Sequence, residues 1–581
     1  MSRNTELAAR FDELVALMEI TGANGFRIRA VAKVARILED LEVDIDTIAN
    51  DAKALKAIDG IGDSSVAKIQ QWCQTGSFED LDTLRANIPD GLVDLLSISG
   101  LGPKTVGRFW READVVDRAS LQAAIDDGRL ATLPRMGAKT IANIADALQF
   151  AQQFADRTSI GIAMPLAETL IDQLGRVSGV ESIQYAGSLR RGCETIGDID
   201  LLAVASNPKA LVDAFIDKAH ATKVLASGDT KASIRHTQGM QVDLRIVDAA
   251  ALGAAMLYFT GSKEHNVQLR ERARTLDTRL NEYGLFPDDG QDAPPQQRGI
   301  SPIAAATEED IYTHLDLPMH PPELRESRDD IATAPTEGLI ELTDIGSDLH
   351  THTIASDGIL SIEELVDEAR RRGYHTLAIT DHSRSQPQAN GLSIERLLTH
   401  IDAIAAVARN HNDIRVLAGS EVDILSDGTL DYPDDILERL DLVVASPHAA
   451  LRQDPPAATA RLIAAASHPH VHIIGHPTGR IIGRRPGLEP DMQAVAQAAA
   501  DHNTALEINA NPKRLDLRDR HVRIALDCGA LIAIDTDAHT AEHFDFLRYG
   551  ILTGRRGGLT AKHCINTWSA DALAQWLDGH V

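Results

Sequence analysis

Residues 185–204 read YAGSLRRGCETIGDIDLLAV, and the rest of the chain is understood through them. Ile199, Leu201 and Val204 mark Asp198–Val204 as a strand, and a side-chain period of two then sets Asp198 and Asp200 on one face. Two carboxylates that close repel each other unless a cation lies between them. A hard divalent cation shared with phosphate oxygens answers that repulsion, and Mg2+ suits it. Just upstream, Gly187 and Ser188 can offer backbone N–H groups, and Arg190 or Arg191 a charged fork, to a polyphosphate. Together these features point to phosphoryl or nucleotidyl transfer. A bare Asp-x-Asp is most often a solvated strand edge, but this one stands in different company.

The pattern G-S-x-R-R-x-x-E-x-x-G-D-x-D over 187–200 resembles the nucleotidyltransferase signature of family X DNA polymerases. A second strand, QVDLRIV at 241–247, supplies Asp243 and fits that family's third carboxylate, and YFTGSKEHNVQLR at 258–270 looks like its nucleotide-binding segment. LNEYGLF at 280–286 and ATEEDIYTHLDL at 306–317 resemble its thumb. The resemblance implies a nucleotidyltransferase palm of mixed sheet plus helices over 156–255 and a thumb over 256–330. It further implies that Asp198, Asp200 and Asp243 are catalytic and hold two Mg2+ ions. One ion would lower the pKa of a primer 3'-hydroxyl, and the other would orient the triphosphate and the leaving pyrophosphate. Gly187, Ser188 and Arg191 would meet phosphates, Tyr258 and Phe259 would line the sugar with Gly261 in the same nucleotide-binding set, and Asn266 and Arg270 would touch base or template.

A chain of 581 residues should hold several domains. It has no run of apolar residues long enough for a membrane helix, and the opening MSRNTELAARFDEL does not read as a signal peptide, so the cytosol is expected. Cys73, Cys193, Cys528 and Cys564 lie far apart with no CxxC, which indicates neither a disulfide framework nor a cysteine zinc site. The formal charge of -28 excludes a broad basic surface for gripping nucleic acid, so any DNA binding must use local devices.

Such devices stand in the first third. LKAIDGIGDSSVAKI (55–69), LLSISGLGPKTVGRF (95–109) and LATLPRMGAKTIANI (130–144) each read as a helix end, a hydrophobic-glycine turn and a new helix. Glycines permit positive φ, and the new helix presents free N–H groups to an anion, which is the helix-hairpin-helix way of holding a DNA phosphate without basic side chains. Gly60, Gly62, Gly100 and Gly102 serve the first two copies. The third keeps Gly137 but has Arg135 at the first glycine position, so its turn is expected not to close in the same way. These copies divide into an N-terminal helical domain at 1–84 and fingers at 85–155. Lys68 falls where lyase-active family X polymerases carry their Schiff-base lysine, with Phe26 where related domains often have tyrosine; a solvated or DNA-contacting lysine is the preferred reading.

Beyond a linker at 331–345 the character changes, and 17 of the 22 histidines lie past residue 340. His350 and His352 share one strand face, Asp357 follows, and successive apolar runs end in His382, Glu421, His448, His476, and Asp537 with His539. Ligands at the carboxyl ends of strands separated by helices describe the active face of a β/α barrel. These nine groups could hold two or three ions, with Zn2+ or Mn2+ favoured by mixed N/O donors. Residues 346–581 resemble the PHP (polymerase and histidinol phosphatase) domain, which implies phosphoesterase action such as 3'-5' exonuclease, 3'-end cleaning or abasic-site incision. Arg480 is placed to meet a substrate phosphate, and SRSQPQANGLS after His382 is expected at the rim of the site. His375, His400, His411, His468, His470 and His502 read as surface or helix histidines.

The expectation is therefore a multidomain α/β chain: an all-α helix-hairpin-helix region, a nucleotidyltransferase palm with thumb, and a distorted β/α barrel. It would be a monomeric gap-filling DNA polymerase of repair that acts on gapped or primer-template DNA with dNTPs, has no membrane partner, and also trims 3' ends. The alternatives are an end-processing nuclease whose polymerase half mainly binds gapped DNA, and a small-molecule phosphatase.

Overall fold

The computed structural model describes residues 3–580 apart from 40, 42–44, 59, 99, 154–156, 327, 329–330 and 333–337; the last group falls in the expected linker. The chain forms two compact units, residues 1–155 with 483–486, and residues 156–482 with 487–581.

Over its described residues up to 153 the first unit is helical, around a core that includes Phe11, Leu55, Ile69, Phe109 and Leu148. All three hairpin turns share one hydrogen-bond scheme. Ile61, Leu101 and Met136 each donate their N–H to the carbonyl three residues back, at 3.1–3.2 Å, and Gly62, Gly102 and Gly137 each accept from the first turn of the next helix. The residue that opens each turn is left-handed: Gly60 at φ +91°, Gly100 at +89° and Arg135 at +64°. The third turn thus closes like the others, contrary to the expectation from its missing glycine. The reason is space. A Cβ at Gly60 would strike Ile37 at 2.6 Å, whereas at Gly100 it would meet nothing within 4 Å, and the Arg135 side chain is likewise exposed. What remains is the left-handed cost for an L-residue, about 1–2 kcal/mol.

In the second unit a mixed sheet is built from β1 (Val180–Tyr185), β2 (Asp198–Ala205), β3 (Ala221–Ser227), β4 (Lys231–His236) and β5 (Gln241–Ile246). Its order is β1-β2-β5-β4-β3, with β2 and β5 parallel and the other pairs antiparallel. Ile199, Leu201, Ala203, Val242 and Leu244 point to one face and pack under the helices Ile160–Gly175 and Pro208–Lys218. The alternate residues, among them the aspartates, are left on the other face. Next come the helices Leu252–Thr260 and Lys263–Thr275, then a hairpin of β6 (Thr278–Asn281) and β7 (Gly284–Pro287).

The last part is a parallel sheet in sequential order: β8 (Ser347–Asp348), β9 (Thr376–Ile379), β10 (Arg415–Asp423), β11 (Leu442–Ser446), β12 (Ile473–Ile474), β13 (Ala505–Asn509) and β14 (Leu531–Asp535). A parallel bridge between Thr351 and Ala538, with His352 N–H donating to the Ala538 carbonyl at 2.9 Å, nearly closes it into a barrel. Alternation sorts the strands into two cores. Leu377, Val443, Leu506 and Ile532 face the surrounding helices, while Ala378, Leu442, Ala505 and Ala533 face inward onto the plug formed by Leu573 and Trp576. Among the described residues no helix is long and apolar enough to cross a membrane.

Candidate active sites

The parallel register of β2 and β5 sets Asp200 beside Asp243, though 43 residues separate them in sequence. Carboxylate oxygens of Asp198, Asp200 and Asp243 all lie within 4.8 Å of one another. Gln241 Nε2 donates to Asp243 Oδ2 at 2.9 Å, and the Ser233 hydroxyl donates to the other oxygen. Burial first, then the charges of Asp198 and Asp243, pushes the Asp200 carboxyl up to about 7; burial and Asp243 also raise Asp198. A triad in this state lacks positive charge, and a divalent cation fits it. Gly187, at φ +62°, brings its backbone so close that a Cβ there would lie 2.5 Å from Asp200 Oδ2.

This triad has a measurable consequence in chelator. The native Asp200 carboxyl keeps its proton up to about pH 7, while its ordinary value is 3.8, so the native state binds more protons between those limits. Asp200 therefore makes stability fall as pH rises from about 4 to 7, and Asp200→Asn should reduce that dependence and stabilise the metal-free chain near pH 8 by on the order of 2 kcal/mol. Denaturant melts in EDTA at acidic and alkaline pH read this directly; equal stability of the two chains at the alkaline end would refute it.

The arginines of the signature brace the turn. Arg190 makes a two-pronged bond to Glu308 at 2.6 and 3.0 Å and reaches Thr260 Oγ1, while Arg191 pairs with Glu326 at 3.0 Å and donates to the Thr260 carbonyl. Ser188 lies half-buried in the single turn Gly187–Arg190. Tyr258, Asn266 and Arg270 line one small cleft with Leu280 and Asn281, and Asn266 Nδ2 donates to the Tyr258 carbonyl at 2.7 Å. Phe259 is not in that lining. It packs against Ala186, Leu202 and Met256 beneath the Arg245 guanidinium, 4.6 Å away. Gly261, at φ +68°, turns the chain beside Arg191. In the first unit, Lys68 is buried rather than solvated, with Nζ 2.7 Å from Ser64 Oγ and 3.0 Å from Asp80. Phe26 is exposed.

At the carboxyl end of the barrel strands the predicted ligands converge. Potential donor atoms lie within 4.8 Å in three groups: His352, Asp357, His382 and His539; His350, His352 and Asp537; and His382, Glu421 and His448. His476 joins through its Nε2, 2.9 Å from Glu421 Oε1. Glu421 is 1% exposed, yet neither of its oxygens has a hydrogen-bond partner, and His350 Nε2, both His352 nitrogens and His382 Nδ1 are orphaned with it. Unpartnered buried donor atoms facing one another are what metal ions satisfy, and mixed imidazole and carboxylate donors suit transition metals. Burial opposes charge on Glu421, but His448, His382 and His350 outweigh it and hold the carboxyl well below its usual range.

Behind these ligands stands a layer that sequence reasoning did not identify. Glu507 Oε1 accepts from His350 Nδ1 at 2.6 Å, Asp423 from His448 Nδ1 at 2.5 Å, and Asp381 from His400 Nε2 at 2.8 Å. His400 sits on a helix as expected, but it faces inward and is buried. The available signal was carboxylates set in otherwise apolar strands, as in EVD at 421–423 and ALEIN at 505–509. The segment after His382 is not merely a rim, because Ser385 Oγ and Gln386 Nε2 donate to Asp423 at 2.7 and 2.6 Å and so support His448. Arg480 is not placed for substrate. It is 2% exposed and held by Glu194 of the palm at 2.6 Å and by the Leu515 carbonyl.

Comparison with known proteins agrees with this geometry. Family models match for the helix-hairpin-helix domain (2–78), the SAM-like helix-hairpin-helix tandem (92–149), the DNA polymerase beta thumb (255–326) and the PHP domain (348–511). The "DNA polymerase/3'-5' exonuclease PolX" of Bacillus subtilis is 36% identical over 569 residues, covering 97% of this chain and 98% of the relative. A "Probable phosphatase" of Syntrophotalea carbinolica is 29% identical over 38% of this chain and 90% of its own length, and "Probable phosphatase YcdX" of Escherichia coli is 33% identical over 33% and 78%. The chain belongs to the family X DNA polymerases that carry a C-terminal PHP domain.

Proposed function

We propose that this chain fills gaps in DNA at its aspartate triad and trims 3' ends at its histidine-rich barrel. The observation that carries this reading is the presence of two separate clusters able to hold metal, one of carboxylates alone and one of imidazoles and carboxylates. Asp198, Asp200 and Asp243 would hold Mg2+, and His350, His352, Asp357, His382, Glu421, His448, His476, Asp537 and His539 would hold two or three Zn2+ or Mn2+ ions. Such cations supply Lewis acidity that activates a hydroxyl or a water for attack on phosphorus. The protein's share is placement. Glu507 and Asp423 hold His350 and His448 by Nδ1, which leaves Nε2 of each to face the centre. Tyr258, Asn266 and Arg270 would position the incoming dNTP and template from one cleft. For Arg191 to meet a phosphate it would first leave Glu326.

The glycine turns at Gly60, Gly62, Gly100, Gly102 and Gly137 would hold phosphates of gapped or primer-template DNA, through domains bounded at 84, 155, 255, 330 and 345. The protein would act as a cytosolic monomer. Lys68 could form a Schiff base only after leaving Asp80 and Ser64. A small-molecule phosphatase would account for the barrel alone, since the phosphatase relatives cover little more than a third of the chain.

The test is a gapped duplex given to the purified chain. With dNTPs and Mg2+ the gap should be filled; without dNTPs, in Mn2+, the 3' strand should shorten; chelator should stop both. A metal-replete chain that performs neither reaction would end this reading.

A further inference from the structure

Where the mixed sheet meets the barrel, inside the second unit, lies a cavity of about 250 Å³ walled by Arg157, Arg328, Arg518, Arg520 and Arg556. The wall holds two carboxylates, and both are occupied. Asp519 Oδ2 accepts from Arg328 Nη2 at 2.6 Å and from Arg556 Nε at 3.0 Å, and Glu194 accepts from Arg480. Arg157 turns its Nε to the Thr195 hydroxyl at 2.8 Å. Arg518 and Arg520 are different: among the described residues neither side chain has a hydrogen-bond or ion-pair partner, and Arg518 Nε is buried without an acceptor. Burial and the like charges of Arg480 and Arg520 lower the pKa of Arg518 and outweigh the opposing pull of Glu194 and Asp516. The cavity also faces the first turn of the helix Asp519–Asp527, where the Arg520 N–H donates to Asp519 Oδ1 at 2.8 Å.

We infer that this cavity is a phosphate-binding site. Five guanidinium groups face two carboxylates already paired, which leaves an excess of positive charge in a chain whose net charge is -28. Planar guanidinium forks match phosphate oxygens two at a time. One wall residue reaches the aspartate triad, since Arg157 pulls the Asp198 carboxyl down. The phosphate belongs either to the backbone of a DNA strand or to free polyphosphate such as pyrophosphate.

Binding is read without turnover, so the result does not depend on the reactions proposed above. The intact chain and Arg518→Gln/Arg520→Gln would be compared for affinity toward a short, nuclease-resistant single-stranded oligothymidylate across a salt series, and toward pyrophosphate in magnesium-free buffer. The double variant should weaken binding about 10-fold, and for the oligonucleotide should reduce the salt slope by roughly one to two. Loss toward the oligonucleotide alone assigns the site to a strand, and loss toward pyrophosphate alone assigns it to the free anion. Because neither arginine side chain makes a hydrogen bond among the described residues, the variant should melt no lower than the parent in phosphate-free buffer and should lose the parent's stabilisation by pyrophosphate. Unchanged affinities for both ligands, or a variant that melts lower, would overturn the proposal.

Discussion

Asp198→Ala is expected to lower primer extension about 10^3-fold or more, equivalent to at least ~4 kcal/mol of lost transition-state stabilisation, while 3' shortening in Mn2+ persists. Asp198 and Asp200 share a strand face, and Asp243 reaches them from the neighbouring parallel strand. Removal of one carboxylate relieves the repulsion that, after burial, raises the Asp200 carboxyl to about 7, so the fold should tolerate the change. The loss is therefore one of chemistry rather than of structure. Single-turnover incorporation on a gapped duplex measures it, with the melting temperature as control. Extension at near-parental rate would mean that the triad is not the nucleotidyl-transfer site.

Glu421→Gln should do the reverse, abolishing 3' shortening while extension continues. Five imidazoles surround this carboxylate: His382 at 2.7 Å, His476 at 2.9 Å, His448 at 3.3 Å, His350 at 3.5 Å and His352 at 3.7 Å. Among the described residues no other carboxylate of the barrel lies against so many of these imidazoles. Neutralising it should release at least part of the bound metal, measured as metal content per chain. In chelator it should also cost about 3–5 kcal/mol, because the raised histidines His350, His382 and His448 lose a buried counter-charge. A variant with parental metal content and exonuclease rate would show that the barrel does not work through this cluster.

The two substitutions separate because the sites use different donors for different ends. Oxygen-only donors on an open sheet face suit a hard ion that must also accept a triphosphate. Imidazoles held at Nδ1 by Glu507 and Asp423 form a stiffer cage.

By itself the sequence determined whatever local pattern encodes. Alternation in DIDLLAV put Asp198 and Asp200 on one face, glycine spacing marked the hairpins, and apolar runs ending in histidine or carboxylate marked residues that the barrel brings together. Even there it misjudged Arg135, because an open surface tolerates a left-handed arginine where a glycine seemed required. Only the tertiary structure decided what depends on register and on distant partners. It set Asp243 beside Asp200, bound Arg480 to Glu194 across 286 residues, placed Glu507 behind His350 across 157, and brought Arg518 and Arg520 to one cavity. Strand period and turn geometry act over a few residues and can be read in the chain, whereas electrostatic pairing acts through space and exists only once distant segments have packed.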